Sequence, residues 1–336
     1  MRRWWPACAA TSAARCSRRS SRNAGGGDDA RSAVVGRGAV SALSVAIYAP
    51  SGFAQDPSTL DRAVTCLAGL GCNVHVDASA LARHTRFAGT DDERLAAILR
   101  TAAMPGVDVA LALRGGYGWT RLLPRLDFRA LAASGKRWIG HSDFTAFQLA
   151  VLAATGRVTY AGPMATYDFG AETPSDFTIG HAIGMLARGA DEVSFDTEGP
   201  DVDAEGTLWG GNLTMIASLV GTPYLPRVDG GLLFVEDVSE HPYRVERMLH
   251  QLHYAGILAR QRAVLVGAFT GYELAPQDNG YDLDAALAHL RDVCRVPIVT
   301  GLPFGHVRDK LTLPVGGRAR LAVRGGEATL AMEDGR

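Results

Sequence analysis

From Leu43 to Gly140 the chain repeats one pattern: a short apolar run, a turn, then a longer stretch with apolar residues at helical spacing. In "SALSVAIYAPSGF", Leu43 to Tyr48 reads as a buried strand that closes on a Pro-Ser-Gly turn. "STLDRAVTCLAGLG" places Leu60, Val64, Leu67 and Leu70 at helical spacing, and Gly71 stands where a C-terminal stop belongs. "CNVHVD" is a second strand. "TDDERLAAILRTAAM" is a helix whose acidic first turn suits the positive end of its dipole. "GVDVALAL" is near-continuously apolar, as a strand covered on both faces must be. "RWIG" is a fourth strand, leading into a helix from around Asp143. Strands alternating with helices predict an α/β fold, with a parallel sheet covered by helices on both faces.

After Gly162-Pro163 the rhythm loosens. Residues 166–205 read as a connector with one helix, "SDFTIGHAIGMLARG". A second unit, 206–332, then carries strands at "GGLLFVED", "RAVLVGAF" and "VPIVTGL" and a helix at "YRVERMLHQLHYAGIL". The tail "LTLPVGGRARLAVRGGEATLAME" alternates apolar and polar residues and predicts antiparallel hairpin structure. The expectation is an N-terminal parallel-sheet α/β domain over 41–165, a C-terminal mixed α/β domain over 206–332, and a cleft between them.

Charge and cysteines narrow the function classes. Met1 to Gly38 holds eight arginines and two aspartates, so +6 of a total of -1 lies there and the rest carries about -7. A mildly acidic globular part without a basic, aromatic-interleaved patch argues against a nucleic-acid partner. Residues 1–40 are rich in Arg, Ser, Ala and Gly and read as a disordered extension. Cys8, Cys16, Cys66, Cys72 and Cys294 form no CxxC pair, which fits reduced cytoplasmic thiols better than a disulfide framework. No run of 18 apolar residues exists, so no membrane span is expected.

Ligands of open parallel sheets collect at the carboxyl ends of the strands, and the chemistry-bearing residues lie there. "LRGGYGW" follows the strand of "GVDVALAL"; Gly115 and Gly116 let backbone N–H groups approach a ligand, or simply make a tight turn. Ser142, in "RWIGHSDFTAF", is a helix cap or a nucleophile on a tight turn. The turn keeps the first glycine of a GxSxG elbow and has Asp143 before the position of the second. The N–H of Asp143 with one from Gly115 or Gly116 would make an oxyanion hole. Glu236 and Asp237 end an apolar strand, where a carboxylate needs a partner or a task; Asp237 suits a helix cap, leaving Glu236. His306, in "TGLPFGHVRDK", completes a nucleophile, acid and base in an order with precedent among hydrolases. His241 is an alternative base. His250 and His253, at i and i+3, suggest zinc, but the HExxH glutamate is missing.

Taken together, "RGGYG", "GHSDFTA", "AGPM", "EGTLWGGNL", "EDVSEHPYRVERMLHQL", "AGIL" and "TGLPFGH" closely resemble the LD-carboxypeptidases, the serine peptidases that trim murein tetrapeptides. The likeness runs from about Leu43 to Leu330. It implies Ser142 as nucleophile within the family's G-[HYF]-S-D turn, Glu236 as the triad acid and His306 as the base. It implies backbone N–H donors at Gly116 and Asp143, and an active site in the interdomain cleft. It further implies removal of a terminal D-alanine from murein tetrapeptide in cell-wall recycling, with no metal or cofactor. A homodimer in the cytoplasm is the usual form. Arg114 and Arg244 are candidates by position for the substrate's free carboxylate. The alternatives are a microcin C immunity-type peptidase of the same superfamily, a non-catalytic murein-peptide binding module, and a zinc hydrolase built on His250 and His253.

Overall fold

A computed structural model describes residues 43–336. The expected N-terminal extension, with Cys8 and Cys16, lies outside the described residues. Six strands form the first sheet. β1 (Ser44–Tyr48), β2 (Asn73–Val76), β3 (Val109–Ala112), β4 (Arg137–Gly140) and β5 (Thr159–Ala161) are parallel in the order β2-β1-β3-β4-β5. Helices α1 (Ser58–Gly69), α2 (Asp91–Ala103), α3 (Trp119–Leu122), α4 (Phe128–Ala133) and α5 (Thr145–Thr155) connect them. The local reasons are legible. Thr90 and Glu93 cap α2 reciprocally, which satisfies two of its free N–H groups. β1 and β3 are buried along their whole length. In α5 every residue from Thr145 to Val151 is buried. Trp119 stacks on Phe147 of that helix at 4.5 Å, with Trp138 edge-on.

The chain then builds a seven-stranded mixed sheet. It includes α6 (Asp176–Arg188), β6 (Ala190–Asp196), β7 (Val202–Asn212), α7 (Leu213–Leu219), β8 (Leu232–Val238), α8 (Pro242–Tyr254), β9 (Ala263–Thr270), α9 (Leu283–Val293) and β10 (Ile298–Val299). β11 (Leu313–Val315), β12 (Arg318–Arg324) and β13 (Glu327–Glu333) follow. The sheet order is β10-β9-β8-β7-β12-β13-β6. β7 to β10 run parallel, whereas β12, β13 and β6 are antiparallel additions. The long β7 makes the transition, with its first half against β12 and its second against β8.

Two segments sit differently from the reading by spacing. Residues 166–205 contain α6, β6 and the start of β7, so much of that stretch belongs to the second sheet. β11 leaves the tail hairpin and returns to the first sheet, antiparallel to β5 with Leu313 opposite Ala161. Pro314 is acceptable there because β11 is an edge strand. The turn Gly316-Gly317 then delivers the chain to β12. The β12–β13 hairpin itself forms as expected, through Gly325 and Gly326, both with positive φ. Among the described residues, no helix is long and apolar enough to cross a membrane.

The carboxyl ends of the first sheet are tied to one another. The fully buried Arg94 on α2 donates to the carbonyls of Pro50, after β1, and Gly118, after β3, at 2.7 and 3.1 Å. Ser51 Oγ donates to Asp143 Oδ2 at 2.8 Å, which joins the β1 end to the β4 end. These contacts form a rigid rim around the turn that holds Ser142.

Candidate active site

Ser142 follows the last residues of β4 at φ +67°, the left-handed region that a β-carbon makes costly. Such a residue persists only where its surroundings over-determine it, at about 1–3 kcal/mol of strain. The surroundings here are two close approaches. A Cβ on Gly140 would sit 2.6 Å from the Phe144 ring, and a Cβ on Gly115 would sit 2.8 Å from Ser142 Cβ. Gly115→Ala should therefore push the elbow aside, lowering stability by about 1–3 kcal/mol together with activity. Urea unfolding and turnover of this variant check it; unchanged values in both would mean that the loop moves freely.

Asp143 faces inward. Burial pushes its carboxyl up to about 6, against the opposing hydrogen bond from Ser51. Its side chain is an anchor for the turn, which leaves its N–H, next to Ser142, as the group of interest. Gly116, with φ +121°, lies on the wall of the same cavity as Ser142.

Glu236 is fully buried near the end of β8. Its Oε2 lies 2.7 Å from His306 Nδ1, and its Oε1 accepts from Asn212 Nδ2 at 3.3 Å. Asp237 takes the capping role: it accepts from Asn212 Nδ2 and from the N–H of Thr214 in the first turn of α7, each at 2.8 Å. The two adjacent carboxylates thus share Asn212 but differ in their other partner, at a point where the β8–β9 register shifts between Val235 and Asp237. Since a carboxylate only accepts, His306 Nδ1 carries the hydrogen, and in the neutral imidazole Nε2 is then the nitrogen with the free lone pair. His306 also lines the Ser142 cavity, from the loop after β10. That cavity holds about 600 Å³, and Arg114, Tyr167, Asp168, Arg308 and Lys310 contribute to its walls. Lys310 Nζ pairs with Asp168 Oδ1 at 2.7 Å, both buried.

Reading by spacing missed four residues. Asn212 looks like a helix cap, which it is, through Met215 N–H; its amide also holds Glu236. The Asp168–Lys310 pair joins segments 142 residues apart. His141 is buried beneath the site, 4.6 Å from the His306 ring and 5.1 Å from Phe304, with Nε2 3.8 Å from Glu236 Oε2. Burial, helped by the nearby charges of Lys310 and His306, holds its pKa well below the ordinary 6.5.

A histidine kept neutral in the folded chain binds its proton only on unfolding, so falling pH favours the unfolded state. Wild type should then lose stability relative to His141→Phe by up to about 1.4 kcal/mol per pH unit as the pH drops below 6.5. Asp143 titrates in both chains and cancels. Urea unfolding of the pair near neutrality and near pH 5 reads this difference, and parallel stability curves would show that folded His141 takes up the proton.

Other candidates fall elsewhere. Arg244 does not reach the cavity: it lies on the exposed face of α8 against Tyr243 Oη at 3.1 Å and Glu240 at 3.8 Å. Helix phase decides this, because the buried stripe of α8 runs through Val245, Met248, Leu249 and Leu252. Arg114 does line the cavity, with its guanidinium 5.2 Å from the Tyr167 ring centre. His241 pairs with Asp278 at 3.1 Å, away from Ser142. His250 and His253 do not converge, since His253 Nδ1 meets Cys294 Sγ at 3.1 Å while His250 faces Glu246. The ligand-capable atoms of His141, Glu236 and His306 do lie within 4.8 Å of one another. A cation there would have to displace the proton that His306 shares with Glu236.

Comparison with known proteins gives the family. Residues 45–162 match the LD-carboxypeptidase N-terminal domain and residues 205–321 match the LD-carboxypeptidase C-terminal domain. A probable murein peptide carboxypeptidase of Bacillus subtilis is 32% identical over 296 residues, covering 87% of this chain and 92% of the relative. The murein tetrapeptide carboxypeptidase of Pseudomonas aeruginosa is 33% identical, over 82% of this chain and 92% of the relative. The crystal structure of muramoyltetrapeptide carboxypeptidase from Oxalobacter formigenes superposes with a TM-score of 0.82 at 48% identity, covering 87% of this chain and 99% of that one. Both domain models match in chain order over most of the described residues, so the chain belongs to the LD-carboxypeptidase family, peptidase family S66.

Proposed function

We propose that this protein is a serine-type LD-carboxypeptidase that removes the terminal D-alanine from murein tetrapeptides. The reading rests on one observation above all. His306 is held by the buried Glu236 at 2.7 Å through Nδ1, and it lines the same cavity as a serine in a strained left-handed turn.

In this scheme His306 Nε2 takes the proton of Ser142 Oγ as the oxygen attacks the amide carbonyl of the L-configured centre of the diamino acid. Glu236 fixes the tautomer and stabilises the imidazolium, as the acid of a serine triad does. The N–H groups of Gly116 and Asp143 receive the tetrahedral oxyanion, each lowering the barrier by about 2.7–4 kcal/mol. His306 then protonates the leaving D-alanine, and water resolves the acyl-enzyme by the same route. The scheme uses no metal or cofactor. Arg114, which lines the cavity as Arg308 does, is the candidate to meet the substrate's free carboxylate. A homodimer in the cytoplasm accompanies this reading through the family resemblance.

Tyr167, which is half exposed in the cavity, supports a second reading. An aromatic face there could stack a nucleobase, as a microcin C immunity-type peptidase cleaving a peptidyl adenylate would need. Incubation with murein tetrapeptide, and separately with an aminoacyl sulfamoyl adenylate, distinguishes them. D-alanine released by wild type and not by Ser142→Ala supports the carboxypeptidase. Cleavage of the adenylate alone supports the second reading, and tetrapeptide binding that survives in both chains without turnover leaves a binding module.

A further inference from the structure

We propose that Glu246, His250 and His289 form a binding site for a divalent transition-metal ion of the zinc type, joining α8 to α9 outside the catalytic cavity. Glu246 and His250 are four residues apart on α8 and so lie on one helical face. α9 packs along α8 and brings His289 to the same place. Glu246 Oε1 lies 3.4 Å from His250 Nε2 and 3.9 Å from His289 Nε2, and the three ligand-capable atoms fall within 4.8 Å of one another. Around tetrahedral zinc, bonds of about 2.0–2.1 Å set ligand atoms about 3.3 Å apart. The first distance already fits, and side-chain rotation of the half-exposed His289 supplies the closure of the others.

The surroundings are those of a metal site rather than of two incidental ion pairs. Glu246 Oε2 accepts the Tyr281 hydroxyl, which leaves Oε1 turned toward both imidazoles. Ligating carboxylates are commonly held by such an outer hydrogen bond. His250 turns Nε2 toward Glu246, while its Nδ1 is buried with no partner among the described residues. Two imidazoles and one carboxylate are the donor set of zinc, cobalt, nickel or copper, whereas calcium and magnesium demand oxygen. Arg247 lines a surface depression together with Glu246 and His250, which favours water or a small anion as the remaining ligand. None of the three residues lines the Ser142 cavity, so this inference does not depend on the proposed reaction.

The test uses the full chain, stripped with a chelator and dialysed, then titrated with Co²⁺ or Zn²⁺ alone. Calorimetry and the visible absorption of Co²⁺ should report one equivalent bound per chain. His289→Ala and Glu246→Gln should each weaken the affinity roughly tenfold or more, with D-alanine release by both variants equal to wild type. Circular dichroism confirms that the variants fold. Absence of saturable binding overturns the proposal. So does binding of unchanged affinity in both variants, which would assign the ion to another cluster such as His141, Glu236 and His306.

Discussion

Ser142→Ala should release no measurable D-alanine, with kcat lower by a factor on the order of 10⁶. Nucleophile and base act as one unit, so removing either costs nearly as much as removing the whole triad. The cavity walls stay in place, and tetrapeptide affinity should therefore hold within a few-fold. Equilibrium binding of the substrate to the variant, alongside turnover of wild type, separates the two quantities. The backbone makes a second outcome informative. Ser142 sits at φ +67°, and glycine relieves that strain without opening the core. Ser142→Gly should be as inactive as the alanine variant but more stable than it. Turnover by either variant above about a hundredth of wild type would remove Ser142 from the chemistry and with it the proposed mechanism.

Glu236→Gln should lower kcat by about 10⁴ with little change in KM, the loss seen when a triad acid becomes an amide and the wrong imidazole tautomer is selected. Local contacts determine which way the new amide points. Asn212 Nδ2 donates to Oε1 at 3.3 Å, so the amide oxygen goes there and the NH₂ turns to His306 Nδ1. Nδ1 must then accept, and Nε2 carries the hydrogen that it should be free to receive. Asn212→Ala removes the amide donor but not the carboxylate, and its kinetic cost should be smaller. A Glu236→Gln enzyme within tenfold of wild type would show that the acid only fills space beneath His306.

Much of the fold is legible in the chain because its signals are local. Buried strands such as Val109–Ala112 read as continuous apolar runs, and α2 announces its start with Thr90 and Glu93. The location of the candidate site is legible for the same reason: Gly116, Ser142 and Glu236 follow or end strands whose ends can be found by composition. Strand partnership is another matter. Nothing in "LTLPVGG" distinguishes a strand that pairs with β12 from one that returns to β5, because alternation and burial are common to both. Arg244 misled for a related reason. Its position in the chain said nothing of the helix phase that turned it to solvent.

The sequence alone determined the elements, their order and the residue types waiting at their ends, since backbone sterics, apolar period and capping act over a few residues. Tertiary structure alone decided that Glu236 meets His306 seventy positions later, that Asn212 steers that carboxylate, and that His253 turns to Cys294 while His250 faces Glu246. Those contacts follow from strand order, register and helix phase, which are settled only when distant segments compete to bury the same apolar faces and satisfy the same hydrogen bonds.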